Sequence, residues 1–306
     1  MKGRISFIPF GDINTYSSRI TCYQNAEELK KLGWACDIGM QNAEVADFVV
    51  FQKRYSPSHL ALAKRCKGKV ILSMCDPDWL IVGEKDIRAF IEIADYVVTT
   101  TKKLASWFEE RGKKVEVIPE GFDFKAMPKA EKHTKLTLCW HGTSPNEKYL
   151  EVLIRPLNKL SKEFAFDLKL IADNPHEIPK LDFEPQIVKW ELGTHLAEIA
   201  KCHIGLAPLA NSEWCSYKSI NKPITYMALE LPVVCTSIPS YEEIMVNGKN
   251  GFLIKDNNPY YWYEALKIFI TNKDTRLSFI EEGKKIVQFF TLEKMAKKWD
   301  ELFRKL

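Results

Sequence analysis

The sequence predicts two α/β domains, each built on a doubly wound parallel sheet. Short runs rich in β-branched and aromatic residues alternate with stretches of helical periodicity, which is typical of parallel sheets with crossover helices. The alternation stops at the polar segment 124–134 and restarts at Leu136. A chain of 306 residues is long for one domain and sufficient for two, each with its own core.

Residues 1–128 form the first predicted domain. Its strands are predicted at residues 5–10, 34–38, 46–51, 69–74, 94–99 and 115–119. Its helices are predicted at residues 18–32, near 58–66 and at 104–111. The first of these helices carries Ile20, Ala26 and Leu29 on one face, so we expect that face to pack against the sheet.

Residues 135–289 form the second predicted domain. Its strands are predicted at residues 136–140, 166–171, 187–190, 203–207, 233–236 and 251–254. Its helices are predicted at residues 147–160, 217–230, 259–270 and 274–289, and an amphipathic helix at 292–306 ends the chain. Because doubly wound sheets bind ligands at the carboxyl ends of their strands, two such domains facing each other predict a site in the cleft between them.

The charge balance is mildly basic. There are 44 Lys and Arg residues against 40 Asp and Glu, which gives a formal net charge of +4. This surplus is too small to indicate nucleic acid, but it suits an anionic small molecule or an anionic membrane surface. Basic residues concentrate in residues 284–306. A solvated helix face is the simpler interpretation, and a peripheral membrane contact is the alternative.

The eight cysteines are scattered, without a CxxC pair or the spacing of metal ligands. Most lie among apolar residues, which indicates small buried side chains in a reducing compartment. The first four residues begin no secretory apolar region, and no apolar run is long enough to span a bilayer. We therefore expect a cytoplasmic protein, with peripheral contact at the inner face of the membrane as the alternative.

The segment 214–251 carries the strongest functional signal. A helix that begins near Ser216 would direct its free backbone N–H groups and its dipole at an anion. Lys218 and Lys222 are four residues apart and would share one face of that helix. Together these features suit a diphosphate. The alternative is a surface helix with two solvated lysines.

The same segment resembles a known family. The run K-S-I-N-K-P-I-T-Y-M-A-L-E-L-P-V-V, the later P-S-Y-E-E-I and the turn N-G-K-N-G-F-L are similar to the donor-binding half of the family 4 group of GT-B glycosyltransferases. The resemblance implies two Rossmann-like, doubly wound domains facing across a cleft. It also implies a last helix, at 290–306, that packs back on the first domain. A nucleotide-diphosphate sugar would be the donor, and a glycan or lipid-linked molecule the acceptor.

Three other segments extend the resemblance. The run from Trp140 to Thr143, which contains His141 and Gly142, resembles the first strand and loop of the donor domain. The family places an Arg and a Lys there on the donor phosphates; Lys148 fits the Lys position, and Thr143 stands in place of the Arg. The run V-I-P-E-G-F-D resembles the family's V-I-P-N-G-V-D turn. The loop with Gly11, Asn14 and Arg19 resembles the acceptor-side loop.

The chain also departs from the family pattern. The family often has two glutamates around the donor helix, and here Tyr217 and Thr225 stand at those positions. The second glutamate usually holds the donor ribose, and a threonine there supplies hydrogen bonds without charge. Glu213 and Glu243 are candidates to replace it. We prefer Glu243, because it matches the glutamate of the family's E-I-I turn.

The catalytic candidates are Asp76, Asp78 and His141. Related enzymes often carry a histidine where this chain has Cys75, and either aspartate could accept a proton from an acceptor hydroxyl. The alternative for Asp76 is that it opens a turn with Pro77. His141 could hydrogen-bond the donor phosphate or sugar, and the alternative is a structural histidine.

These residues predict a metal-independent glycosyltransferase without a cofactor. Lys148, Lys218, Lys222 and the backbone near Ser216 could stabilise the leaving diphosphate, and the resemblance implies retention of anomeric configuration. The chain has no GxGxxG or GxxxxGK[ST] motif, which disfavours a dinucleotide-binding or P-loop protein. Two alternatives stay open: an epimerase or phosphorylase on the same fold, and a degenerate binding protein without catalysis.

Overall fold

The computed structural model describes residues 2–174 and 180–306. The chain divides into two compact units. Unit 1 comprises Met1–Asp123, Tyr217–Ser219 and Phe290–Leu306, and unit 2 comprises Phe124–Ser216 and Ile220–Phe289. Unit 1 therefore contains a short internal segment and the end of the chain in addition to the first 123 residues.

Unit 1 is built on a six-stranded parallel sheet in the order β2-β1-β3-β4-β5-β6. The strands are β1 Arg4–Ile8, β2 Ala35–Ile38, β3 Phe48–Gln52, β4 Lys69–Met74, β5 Tyr96–Thr99 and β6 Val115–Val117. Every residue of β3 is buried, as expected for a central strand covered by helices on both faces. The doubly wound sheet predicted for this part of the chain is confirmed.

Helices cover both faces of this sheet. They are α1 Tyr16–Ser18, α2 Asn25–Lys31, α3 Pro57–Ala63, α4 Trp79–Val82, α5 Lys85–Ile93, α6 Lys102–Glu109 and α14 Leu292–Lys305. A π-helical segment, Arg19–Gln24, joins α1 to α2. Helices α4 and α5 were not predicted from the sequence, although Ile87, Phe90 and Ile91 of α5 have helical spacing and are buried.

The last helix, α14, packs against unit 1. Its Trp299 meets Phe7 of β1 edge to face, with ring centroids 6.1 Å apart, and both side chains are almost fully buried. A Cβ atom on Gly121 would lie 2.9 Å from the Leu292 Cα, so glycine allows the helix to approach the chain closely. The amphipathic pattern predicted for residues 292–306 therefore buries its apolar face in the core of unit 1.

Unit 2 is built on a second six-stranded parallel sheet in the order β12-β11-β10-β7-β8-β9. The strands are β7 Thr137–Gly142, β8 Asp167–Ala172, β9 Gln186–Lys189, β10 Ile204–Ala207, β11 Val233–Thr236 and β12 Phe252–Ile254. The helices are α7 Ile154–Glu163, α8 His195–Ala200, α9 Glu213–Ser216, α10 Asn221–Ala228, α11 Pro239–Glu242, α12 Pro259–Thr271 and α13 Lys273–Val287. A 3₁₀ segment, Ser144–Leu153, precedes α7.

The predicted start of the donor helix was wrong. The helix α10 begins at Asn221, whereas Ser216 is the last residue of the short helix α9. Pro223 lies in the first turn of α10, where its missing N–H is tolerated. Ser216 therefore does not begin the donor helix, and Lys218 does not share a helix face with Lys222.

The basic C-terminal stretch lies largely on solvated helix faces with acidic neighbours. Lys284 Nζ lies 2.9 Å from Glu281 and 3.1 Å from Glu230, and Arg304 pairs with Asp300 at 3.0 Å. In the chain outside residues 1 and 175–179, no helix combines the length and apolar character needed to cross a membrane. Peripheral membrane contact stays a prediction.

Candidate functional site

Two aspartates and a lysine meet at the carboxyl edge of the unit 1 sheet. Asp76 and Asp78 follow β4, and Lys53 follows β3. The Lys53 Nζ lies 2.8 Å from an Asp76 oxygen and 3.0 Å from an Asp78 oxygen, and the Tyr55 hydroxyl donates to Asp78 at 2.9 Å. Both predicted aspartates therefore lie in one cluster.

Lys53 was not predicted from the sequence. Its φ of 54° is in the left-handed region, which is unfavourable for a residue with a Cβ atom. The side chain is largely buried, and both of its carboxylate partners lie in the loop that follows the neighbouring strand, β4. No motif marks Lys53, because strand neighbours in a parallel sheet are distant in sequence.

The pKa values of the two aspartates are shifted in opposite directions. Burial raises the pKa of Asp76, but the ammonium groups of Lys218 and Lys53 outweigh it and bring the pKa to about 2. For Asp78 burial prevails over Lys53, and its pKa is raised. A carboxylate held so firmly in its ionised form is a weak proton acceptor, so Asp78 fits the predicted role of general base better than Asp76.

The segment Tyr217–Ser219 contacts three places in unit 1. The Tyr217 ring meets Trp79 edge to face at 5.4 Å, and Lys218 Nζ lies 3.2 Å from an Asp76 oxygen. The Ser219 hydroxyl donates to Glu120 at 2.7 Å. Lys218 is thus placed beside the catalytic candidates of unit 1, while Lys222 belongs to unit 2.

Glu120 is a second site residue that was not predicted from the sequence. It is 6% exposed and follows β6 in the V-I-P-E-G-F-D turn. Burial raises the pKa of this carboxyl from its ordinary value of 4.5 to about 7, against the lowering effect of the Ser219 hydrogen bond. The available signal was the glutamate itself, which stands where the family turn has an asparagine.

The predicted acceptor-side loop is fixed by its own hydrogen bonds. The Gly11 amide donates to the Ser18 hydroxyl at 2.9 Å. The guanidinium of Arg19 is buried and donates to the carbonyls of Ile13 at 3.0 Å and Asn14 at 3.2 Å. Arg19 therefore shapes the loop from inside, while Asn14 is exposed at its tip.

In unit 2, His141 lies at the carboxyl end of β7. Its ring meets the Tyr226 ring at 5.1 Å, and its backbone N–H donates to the Tyr226 hydroxyl at 3.2 Å. Burial lowers the His141 pKa well below its ordinary value, and Lys222 and His195 lower it further. Within the described chain, His141 Nε2 is buried without a hydrogen-bond partner. A neutral imidazole with one ring nitrogen available suits hydrogen bonding to a ligand.

Gly142 and Lys222 lie beside His141. The Lys222 ammonium is 4.8 Å from the centre of the Trp140 ring and would be 3.2 Å from a Cβ atom on Gly142. The same Cβ atom would lie 2.7 Å from the Trp140 ring, so glycine is required at this strand end. His141, Gly142 and Lys222 are therefore brought together, as a phosphate-binding edge requires.

Thr143 and Lys148 lie farther along the same loop and are exposed. The Thr143 hydroxyl accepts from the Asn146 amide at 2.7 Å. Lys148 Nζ lies 5.5 Å from the centre of the Tyr149 ring. Both side chains are therefore accessible at the surface of unit 2.

The other donor candidates have different surroundings. Thr225 is buried on α10, one turn after Lys222, and its hydroxyl donates to Asn221 at 3.2 Å. Ser216 donates to the Glu213 carbonyl at 2.6 Å. Glu243 follows α11 and is exposed. Of these three, only Thr225 shares a helix with Lys222.

A metal site was not predicted, and metal independence stays a prediction. Among residues 2–174 and 180–306, no three His, Cys, Asp or Glu side chains are grouped closely enough to hold an ion. The Asp76 and Asp78 pair is instead neutralised by Lys53 and Lys218. This charge balance leaves little net negative potential for a cation at the cluster.

Sequence comparison tests the predicted resemblance on the donor half. Residues 135–272 match the family model for glycosyl transferases group 1. An uncharacterized glycosyltransferase of Methanocaldococcus jannaschii is 35% identical over 68 residues, which cover 22% of this chain and 19% of that protein. A D-inositol 3-phosphate glycosyltransferase of Corynebacterium urealyticum is 30% identical over 93 residues, which cover 29% of this chain and 22% of that protein. The matches thus span about a fifth of each relative.

Structural comparison extends over both units. HepE from Anabaena, solved in complex with UDP, aligns with a TM-score of 0.75 at 12% identity over 99% of this chain and 100% of its own. A glycosyltransferase from Rickettsia africae aligns with a TM-score of 0.78 at 16% identity, over 99% of this chain and 98% of its own. Sucrose-phosphate synthase from Thermosynechococcus elongatus aligns with a TM-score of 0.74 at 12% identity, over 99% of this chain and 98% of its own. These likenesses and the two parallel sheets show the predicted GT-B fold.

Proposed function

We propose that the protein is a glycosyltransferase that moves a sugar from a nucleotide-diphosphate donor to an acceptor hydroxyl. The match of residues 135–272 to glycosyl transferases group 1 carries this proposal. That segment contains the strand end at which His141, Gly142 and Lys222 meet. The acceptor class is a glycan, a lipid-linked molecule or a small molecule. The protein would act in the cytoplasm, with peripheral membrane contact as the alternative.

The donor diphosphate would bind at the carboxyl edge of the unit 2 sheet. Lys222 supplies positive charge there, and the missing side chain at Gly142 leaves room for the Lys222 ammonium beside the Trp140 ring. Negative charge develops on the leaving diphosphate during transfer, and fixed positive groups stabilise it without a metal. UDP is a suitable first nucleotide to test, because HepE has been solved with UDP and with UDP-glucose.

The acceptor would bind at the carboxyl edge of unit 1. Asp78 is the better candidate for accepting the hydroxyl proton, because burial raises its pKa, whereas Asp76 stays ionised between two lysines. Retention of anomeric configuration is part of the proposal and rests on the family resemblance.

A thermal-shift panel of UDP, GDP, ADP, CMP and TDP tests donor binding. We expect one nucleotide to raise the melting temperature, with a shift that grows with ligand concentration. Lys222→Ala should weaken binding of that nucleotide by about tenfold, because it removes a positive group from the diphosphate. Lys162→Ala is the matched control, since Lys162 is an exposed lysine of unit 2 that pairs with Asp182.

The outcomes separate the competing functions. Release of UDP from UDP-glucose with appearance of a glycoside supports the transferase. Conversion of the donor to an isomer, or to sugar phosphate in the presence of phosphate, would instead show an epimerase or a phosphorylase. If none of the five nucleotides shifts the melting temperature of the wild-type protein, the donor-site hypothesis fails and a degenerate protein is the better interpretation.

A further inference from the structure

Glu120 borders a small internal cavity in unit 1. The cavity has a volume of about 10 Å³ and is also lined by Asn25, Ser73, Thr99 and Thr100. Asn25 is 3% exposed and Thr100 is 8% exposed. In the described chain, the Asn25 Oδ1 and the Thr100 Oγ1 are buried without hydrogen-bond partners.

Such a cavity has the size and polarity to hold one water molecule. Buried polar atoms cost free energy unless they are hydrogen-bonded, and a single water can satisfy two to four of them. A water here would donate to Asn25 Oδ1. Glu120 and Thr100 also line the cavity and could hydrogen-bond to the same water. A water in this cavity would therefore give Glu120 a second hydrogen-bonding partner besides Ser219.

Glu120 also accepts a hydrogen bond from a segment that carries a candidate active-site lysine. Ser219 donates to the Glu120 carboxyl at 2.7 Å, and the preceding residue, Lys218, reaches Asp76 at 3.2 Å. Tyr217 packs on Trp79 at 5.4 Å. Because consecutive residues share a backbone, movement of Ser219 also moves Lys218.

We propose that Glu120 is a proton-dependent positioning residue: it accepts from Ser219 and so anchors the segment that carries Lys218, and while it is neutral it leaves Lys218 paired with Asp76. Glu120 does not touch the reacting atoms in this proposal, and its effect is transmitted through Ser219. The proposal deepens the proposed function, because it assigns a control over a lysine of that same site. It concerns contacts within unit 1 alone.

The charges around Glu120 explain why its proton matters. Asp76 opposes ionisation of Glu120 and Lys218 favours it, and the acidic groups of Tyr16 and Cys75 also interact with Glu120. Arg19 is a further charged group beside Tyr16. An ionised Glu120 therefore becomes a second anion that attracts Lys218 and weakens its pairing with Asp76. Burial places the Glu120 pKa at about 7, so the change falls near neutral pH.

The test is the pH profile of UDP release from UDP-glucose by the full-length wild type, Glu120→Gln and Ser219→Ala. The wild-type kcat/KM should fall above about pH 7, where Glu120 ionises. Glu120→Gln cannot ionise and should keep its kcat/KM above that pH. Ser219→Ala should lower kcat/KM by about tenfold below that pH and flatten the profile. Glu92→Gln is the control, since Glu92 is an exposed carboxylate of the same unit.

A second measurement keeps the positioning proposal separate from the proposed function. The wild-type melting temperature should fall between pH 4.5 and about 7, because folded Glu120 binds a proton that the unfolded chain has released. Glu120→Gln should lose this fall, and Ser219→Ala and Lys218→Ala should be non-additive in stability. If Glu120→Gln keeps the wild-type fall, or the two alanine variants are additive, the positioning proposal is overturned. If only the UDP assay fails, the transferase proposal is overturned.

Discussion

At the residue scale, burial and charge pairing decide what each carboxylate can do. Asp76 lies between Lys53 and Lys218, and these ammonium groups bring its pKa to about 2 in spite of burial. Glu120 is more deeply buried, its polar partner is a serine, and its pKa rises to about 7. Near pH 6, Asp76 is therefore charged, whereas Glu120 in the same unit is largely neutral. The chain therefore offers a fixed anion and a proton-sensitive carboxyl that interact electrostatically within unit 1.

Removing the Asp76 charge should destabilise the protein. Asp76→Asn leaves Lys53 partly buried with fewer carboxylate partners, so we expect the free energy of unfolding to fall by about 2–3 kcal/mol. The loss should be present above pH 3.8 and should vanish as pH falls through about 2, because wild-type Asp76 becomes protonated there. Urea unfolding at several pH values measures it.

A more exposed aspartate–arginine pair provides the control for this substitution. Asp37 pairs with Arg4 at 2.7 Å, and both side chains are about one third exposed or more. Asp37→Asn should therefore cost only about 0–1 kcal/mol. Equal losses for Asp76→Asn and Asp37→Asn would contradict the importance of the Asp76 cluster.

At the element scale, close approach between a strand and a helix positions the candidate donor edge. Gly205 lies in β10, and Tyr226 of α10 packs directly over it. The Tyr226 hydroxyl donates to the Leu206 carbonyl at 3.0 Å and accepts from the His141 backbone N–H at 3.2 Å. The missing side chain at Gly205 thus sets the height of α10 above the sheet, and with it the place of Lys222.

Adding one methyl group at Gly205 should disturb this contact. A Cβ atom there would lie 2.3 Å from the Tyr226 ring, so Gly205→Ala must displace the ring and should lower the free energy of unfolding by about 1–3 kcal/mol. It should also weaken nucleotide binding, since α10 carries Lys222. Gly193→Ala is the control, because a Cβ atom there meets nothing within 4 Å. A stable Gly205→Ala variant with wild-type nucleotide affinity would refute the contact's role.

At the scale of the whole molecule, the end of the chain completes the first core. The helix α14 places Met295, Trp299, Leu302 and Phe303 in a cluster with residues of β1, β3 and α2. Lys2 and Trp34 also donate to Asp300 at 2.8 Å and 2.7 Å. Residues almost 300 positions apart in sequence therefore share one core, and unit 1 depends on both ends of the chain.

Truncating the central side chain of this contact should be costly. Trp299 is 2% exposed and packs on Phe7 and Phe303, so Trp299→Ala should lower the free energy of unfolding by about 3–5 kcal/mol. Chemical denaturation measures the change. Lys297→Ala, on the exposed face of the same helix, should stay within about 0.5 kcal/mol of wild type. A comparable loss in both variants would argue against a buried α14.

The sequence by itself determined the two parallel α/β sheets, because strand and helix periodicities are local patterns of burial that can be read along the chain. It also determined the resemblance of the donor half, including the His141, Gly142 and Lys222 positions. Only the tertiary structure decided where α10 begins, because Pro223 is compatible with helices that start at several neighbouring residues.

The tertiary structure likewise decided the chemistry of unit 1. Lys218 meets Asp76 across 142 residues, and Ser219 meets Glu120 across 99. No local pattern encodes such pairings, and they set which carboxylates are ionised. The sequence therefore placed the candidate residues on the strand ends, and folding assigned their charge, because pKa values follow from burial and from neighbours that are distant along the chain.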